Sequence, residues 1–134
     1  MLIYSKKNKK KILGVIFRSK KITSKRIDIS PENEFLQFSA QKLTVGNYVK
    51  PHIHKKIYRK SDITQEIWIV IKGKLLISIY DIDKKVIKKT FLEKGDLYIL
   101  FRGGHTFKVI KKNTIFYEVK NGPYYYDTKD ITYF

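Results

Sequence analysis

The sequence predicts an all-β domain, and three observations carry that reading. Aromatic residues make up 14% of the chain, as ten Tyr, eight Phe and one Trp, and with the many Ile and Val residues they favour a pleated sheet over helix. Short apolar runs recur at the regular spacing of a sandwich or barrel, each bounded by turn residues. No stretch sustains a helical period over three turns.

Along the chain, residues 5–11 (SKKNKKK) form a basic run read as a solvated flank. Ile12–Phe17 (ILGVIF) is a short apolar strand, followed by a polar stretch, Arg18–Arg26. Ser30-Pro31-Glu32-Asn33 is a turn, with Pro at the position it favours. Glu34–Val45 has the near-alternation of a strand, and Gly46-Asn47 turns it into a further strand-like stretch, Tyr48–Ile57. Residues 58–64 are a polar loop. Strands are then expected over Glu66–Ile71, Leu75–Tyr80, Val86–Phe91, Leu97–Phe101, His105–Ile110 and Thr114–Lys120. Their turns carry Gly73, Asp81–Lys85, Gly95, Gly103-Gly104 and Lys111–Asn113. That makes about eight strands between residues 34 and 120. The 134 residues show no linker and no internal repeat, so a single domain spans 1–134, with a basic flank at about 1–11 and a Tyr-rich tail at about 123–134.

The composition narrows the chemistry. There is no cysteine, which excludes disulfides, thiolate metal sites and a Cys nucleophile. A metal site must use His and carboxylate, a donor set that suits Zn, Fe, Mn or Ni. The longest apolar run, Ile67–Ile71, is too short to span a bilayer, and no signal peptide is visible, so the expected compartment is the cytoplasm. The net charge is +17. Such a field draws anionic partners. Most of it is Lys, a point charge without the planar fork used to read phosphates specifically, so the charge reads either as plain lysine-rich composition or as a field for an anionic partner; the partner expected is an anionic small molecule, and nucleic acid is not favoured.

The chain has three histidines. On a strand, His52 and His54 point to the same face, as two metal ligands from one strand must. Glu66 opens the apolar strand after the loop; its carboxyl either turns inward towards the histidine pair or sits in water at the strand mouth. His105 follows Gly103-Gly104 and begins a strand. It reads either as a third ligand facing the pair or as a plain turn histidine. Arg102, Gln37 and Tyr48 are candidates for binding substrate, and Glu66 and Glu118 for catalysis. Tyr48, Trp68 and Phe107 are candidate aromatic walls.

Residues 46–73 resemble the first motif of the cupin superfamily: Gly46, five residues, His52-Ile53-His54, a spacer of eleven, Glu66, six residues, Gly73. The usual spacer is shorter. Residues 95–109 look like the second motif, with Gly95 and His105 on its positions, although its proline is absent and Val109 stands where Asn is usual. The stretches 26–37 and 116–124 resemble the small WbuC-type cupin metalloproteins encoded among polysaccharide genes. The resemblance implies a single jelly-roll β-barrel and a divalent metal on His52, His54, His105 and Glu66. It also implies a homodimer and a role near sugar or polysaccharide metabolism. On that footing the expected function is metal-dependent isomerisation or epimerisation of a small polar or anionic sugar. The alternatives are a metal-free sugar-nucleotide isomerase and a sugar- or anion-binding module without turnover.

Overall fold

The computed structural model describes residues 1–23, 25–123 and 130–134; residues 124–129 of the expected Tyr-rich tail lie outside them. The structure is all-β, with one 3-10 turn at Ser19–Lys21. Its strands are β1 (Leu2–Tyr4), β2 (Ile12–Phe17), β3 (Arg26–Asp28), β4 (Ser39–Gln41), β5 (Glu66–Lys72), β6 (Lys74–Tyr80), β7 (Val86–Glu93), β8 (Leu97–Leu100), β9 (Gly104–Val109) and β10 (Ile115–Lys120). A five-stranded sheet runs β1-β2-β8-β5-β10, a three-stranded sheet runs β7-β6-β9, and β3 and β4 pair with each other. All pairings are antiparallel. No described helix is long and apolar enough to cross a membrane.

Alternation decides what each sheet buries. On β6, Leu75, Ile77 and Ile79 are fully buried and face the larger sheet. There they meet Trp68 and Val70 of β5, Tyr98 and Leu100 of β8, and Ile16 of β2. Strands β5 and β8 are apolar on both faces because both faces are covered. Their outward residues Ile67, Leu97 and Ile99 pack with Val15 and Phe17 under Ile29, Leu36, Phe38 and Ala40. Each such aliphatic or aromatic side chain, fully buried, contributes about 1.5–3 kcal/mol. Three of the turns use left-handed backbone. Gly73 and Gly95 have φ +87° and +80°, and Asn113 closes the last turn at φ 56°.

The structure departs from the sequence reading at several points, and it adds the short strands β1 and β3. Among the described residues the sheets do not close into a barrel: β9 and β10 are both edge strands, with no further strand on their outer sides. Tyr48–Ile57 forms no strand, because no neighbour supplies a ladder for its backbone, and residues 41–60 are exposed throughout. Glu34–Val45 shrinks to Ser39–Gln41, since residues 31–37 are held as a turn. The Gln37 amide donates there to the carbonyls of Pro31 (2.9 Å) and Glu34 (2.6 Å), and Ser30 Oγ accepts from Phe38 N (3.0 Å). The basic flank is solvated only at its side chains. Its backbone is anchored, with Lys6 N and Lys7 N donating to the buried Asp81 carboxylate at 2.8 and 3.2 Å.

Candidate functional site

Glu66 opens β5, and the ladder sets it beside Leu100 of β8 and Lys120 of β10. Its side chain shares the inward face with Trp68, two residues on. His105 stands near the start of β9 in the three-stranded sheet, where it pairs with Ile79 of β6. The two side chains meet across the sandwich: His105 Nε2 lies 3.0 Å from Glu66 Oε2. At that separation the two side chains form an ion pair whenever the imidazole carries its second proton. Both residues line a cleft of about 620 Å³, with Thr64, Tyr80 and Arg102 among its other walls.

An aromatic cluster backs the pair. The Trp68 ring meets His105 edge-on at 4.8 Å and Phe107 at 5.2 Å, and Phe107 meets Phe116 at 5.1 Å. Trp68 Nε1 donates to Glu118 Oε2 at 3.2 Å, and Lys120 Nζ lies 3.5 Å from the other Glu118 oxygen. Glu118 therefore faces inward beside Trp68 and orients the indole. Tyr98 is buried, and among the described residues its hydroxyl has no hydrogen-bond partner. Burial first, and the Glu66 charge second, push that hydroxyl far above the usual tyrosine range.

The other predicted residues lie elsewhere or are engaged. Arg102 lines the cleft, but its guanidinium is held from within. It donates to Glu34 Oε1 at 2.8 Å, to Glu34 Oε2 at 2.9 Å and to the Ile12 carbonyl at 2.5 Å. Glu34 also accepts from Gln65 Nε2 at 2.8 Å, and Gln65 Oε1 accepts from Leu36 N. The expected anion-gripping arginine is thus a clasp between β2, the 31–37 turn and the entry to β5. Gln37 is spent on its own turn, away from the cleft. Tyr48 is 74% exposed on the unpaired segment. Sequence reasoning missed the Glu34–Gln65–Arg102 network and the Tyr98 hydroxyl; only the acid and amide beside apolar stretches hinted at the first.

His52 and His54 lie together on the exposed segment, rings 5.1 Å apart, with His52 Nδ1 3.0 Å from the Lys50 carbonyl oxygen. The four expected metal ligands therefore stand as two pairs. Two ligands about 2.1 Å from one metal in cis positions are about 3.0 Å apart, which is the Glu66–His105 spacing. The donor chemistry suits a divalent metal, but two donors do not hold one. Among the described residues no group of three His, Asp or Glu is gathered. No family model, curated protein or solved structure matches this chain.

Proposed function

We propose that this chain is a cupin-type β-barrel protein that holds a divalent metal, Zn, Fe, Mn or Ni, through His52, His54, His105 and Glu66. On this reading it acts on a small, polar, sugar-type molecule in the adjoining cleft, by isomerase- or epimerase-like chemistry. The observation that carries the reading is the convergence of Glu66 and His105, 39 positions apart in sequence, at 3.0 Å across the sandwich. The segment with His52 and His54 supports it. In extended form Val49, Ile53 and Ile57 would lie on one side, together with Lys55, and Tyr48, His52, His54 and Tyr58 on the other. That period of two is a strand's. On this reading the segment would add to the open edge of β9, which carries His105, and close the barrel. The +17 charge favours an anionic substrate. The exposed outer residues Ile71, Ile115, Tyr117 and Val119 are the surface a second copy would cover in a homodimer.

Elemental analysis of protein purified without chelator or added metal tests this. The expected result is about one metal ion per chain, falling away in His52→Ala and His105→Ala. Stoichiometric metal retained in either variant overturns the ligand set. Wild-type protein without metal overturns the metal reading and favours a second one. The Glu66–His105 contact is complete in itself: the carboxylate orients the imidazole, and Nδ1 serves as the base next to a sugar carbonyl.

A further inference from the structure

Residues 130–134 line the same cleft as Glu66 and His105. Two fastenings hold them there. Thr64 Oγ1 donates to Asp130 Oδ2 at 2.8 Å. At the other end the Phe134 ring meets Tyr80 edge-on at 5.2 Å, and Lys84 Nζ stands 5.3 Å from its centroid. Gly104 supplies the seat. A Cβ there would stand 2.7 Å from Phe134 Cζ, with Tyr80 Cβ next at 3.2 Å. Gly104 is not among the residues with positive φ, so close contact with the ring, and not backbone conformation, is what calls for glycine at this position.

The fastenings flank the two site residues. Thr64 stands two residues before Glu66, at the entry to β5, and Gly104 directly precedes His105 on β9. Strands β5 and β9 belong to different sheets. The segment therefore ties the two sheets together where the Glu66–His105 contact joins them. By strand alternation Gly104 faces away from His105. The segment thus hooks round the start of β9, and Ile131, Thr132 and Tyr133 line the cleft on the way. Its side chains are largely in water: Ile131, Tyr133 and Phe134 are 47%, 82% and 63% exposed. A segment with so little buried surface opens at far lower cost than the sandwich beneath it.

We propose that residues 130–134 are a releasable, autoinhibitory strap over the Glu66–His105 cleft, latched by Phe134 on Gly104 and by Asp130 on Thr64. With Phe134 seated the approach to His105 is narrowed; with the ring lifted it is open. An incoming molecule must displace the strap to reach the imidazole. The regulatory meaning rests on the reading of this cleft as the working site, whereas the latch itself needs neither a metal nor a substrate.

Histidine acylation by diethyl pyrocarbonate, mapped by mass spectrometry after EDTA treatment, tests this without a ligand. The chain has three histidines, and His52 and His54 on the exposed segment serve as internal references. In wild-type protein His105 should react more slowly than both. Phe134→Ala and Thr64→Val each remove one fastening. Each should speed His105 about fivefold, the shift in open population expected when one weak contact is lost, with His52 and His54 unchanged. Gly104→Ala should lift the ring from its seat and speed His105 likewise, and adding Phe134→Ala to it should gain nothing more. Thermal melts of Phe134→Ala and Thr64→Val should match wild type. An unchanged His105 rate in either of these two variants overturns the proposal, as does a wild-type His105 that reacts as fast as His52. A Phe134→Ala melting temperature lowered by several degrees does so too, because the ring would then belong to the core. The two readings fail separately. A faster His105 in the variants of a protein that carries no metal sinks the metal site and leaves the strap. One metal ion per chain with unchanged His105 rates sinks the strap and leaves the metal site.

Discussion

Replacing Arg102 with methionine separates an arginine that grips a ligand from one that holds the fold. The substitution keeps an apolar stem and removes three hydrogen bonds, two to Glu34 and one to the Ile12 carbonyl. Glu34, whose side chain is 6% exposed, keeps only Gln65. Removing one partner of a buried ion pair costs about 3–5 kcal/mol, because the other charge stays buried and uncompensated. The Arg102 side chain is 27% exposed, so water reaches the vacated site, and the low end, about 3 kcal/mol, applies. Unfolding entropy is about 2.1 cal/mol/K per residue. Over 134 residues that is about 280 cal/mol/K, so the midpoint should fall by about 11 °C. Thermal melts followed by circular dichroism read this directly, and urea melts should show a lower midpoint at an unchanged slope. Adding Glu34→Met should recover most of the loss, since the stranded charge goes too. A shift below about 3 °C, near 1 kcal/mol, with no rescue by the double variant, refutes the clasp and returns Arg102 to the role of anion gripper.

Two further outcomes follow from other buried contacts. Burial works to raise the Asp81 carboxyl, but hydrogen bonds from Ser5, Ile82, Lys7 and Lys6 outweigh it and hold the group below its ordinary value of 3.8. A lowered folded value means stability that is fully present above about pH 4 and lost as pH falls through the folded value. Urea melts at pH 6, 4 and 3 should therefore show Asp81→Asn less stable by about 1–3 kcal/mol at pH 6, with the gap closing in acid; a constant gap would count against the anchor. In Gly14→Ala the new Cβ meets the Ile99 carbonyl oxygen of the next strand and the Tyr98 ring. Overpacking of this kind costs about 1–3 kcal/mol or more, and an unchanged melting temperature would show that β2 and β8 are not packed as described.

The strands from β5 to β10, and β2, were legible because their signal is local: apolar alternation between turns that need Gly, Asn or Asp. Their bounds agree with the sequence reading to within two residues. Strands β1 and β3 escaped it because three residues carry no period, and Arg26–Asp28 is pinned by pairing with Ser39–Gln41 rather than by its own composition. The segment 48–57 carries a strand's pattern, but a pattern secures a strand only where a neighbour is paired to it. The Glu66–His105 meeting could be anticipated because both open or nearly open a strand after a loop. The Arg102–Glu34 clasp could not: 68 positions separate the two, and nothing near either residue names the other. The same holds for Tyr98, which in sequence is one more aromatic in a buried strand.

The unpaired margins of β9 and β10 have a consequence for how many copies of this molecule behave together. A bare sheet edge is a row of hydrogen-bonding groups that another chain can extend. Here lysines stand along the margins, Lys108 on β9, Lys120 on β10, and Lys88 and Lys89 on the outer strand β7. With a net charge of +17 on each molecule, repulsion keeps those margins apart in dilute buffer. The reach of that repulsion is about 8 Å at physiological ionic strength and about 3 Å in molar salt. Crowded copies are thus kept from one another by charge, which salt weakens, rather than by the shape of the fold, and a polyanion would draw together the margins that simple buffer holds apart.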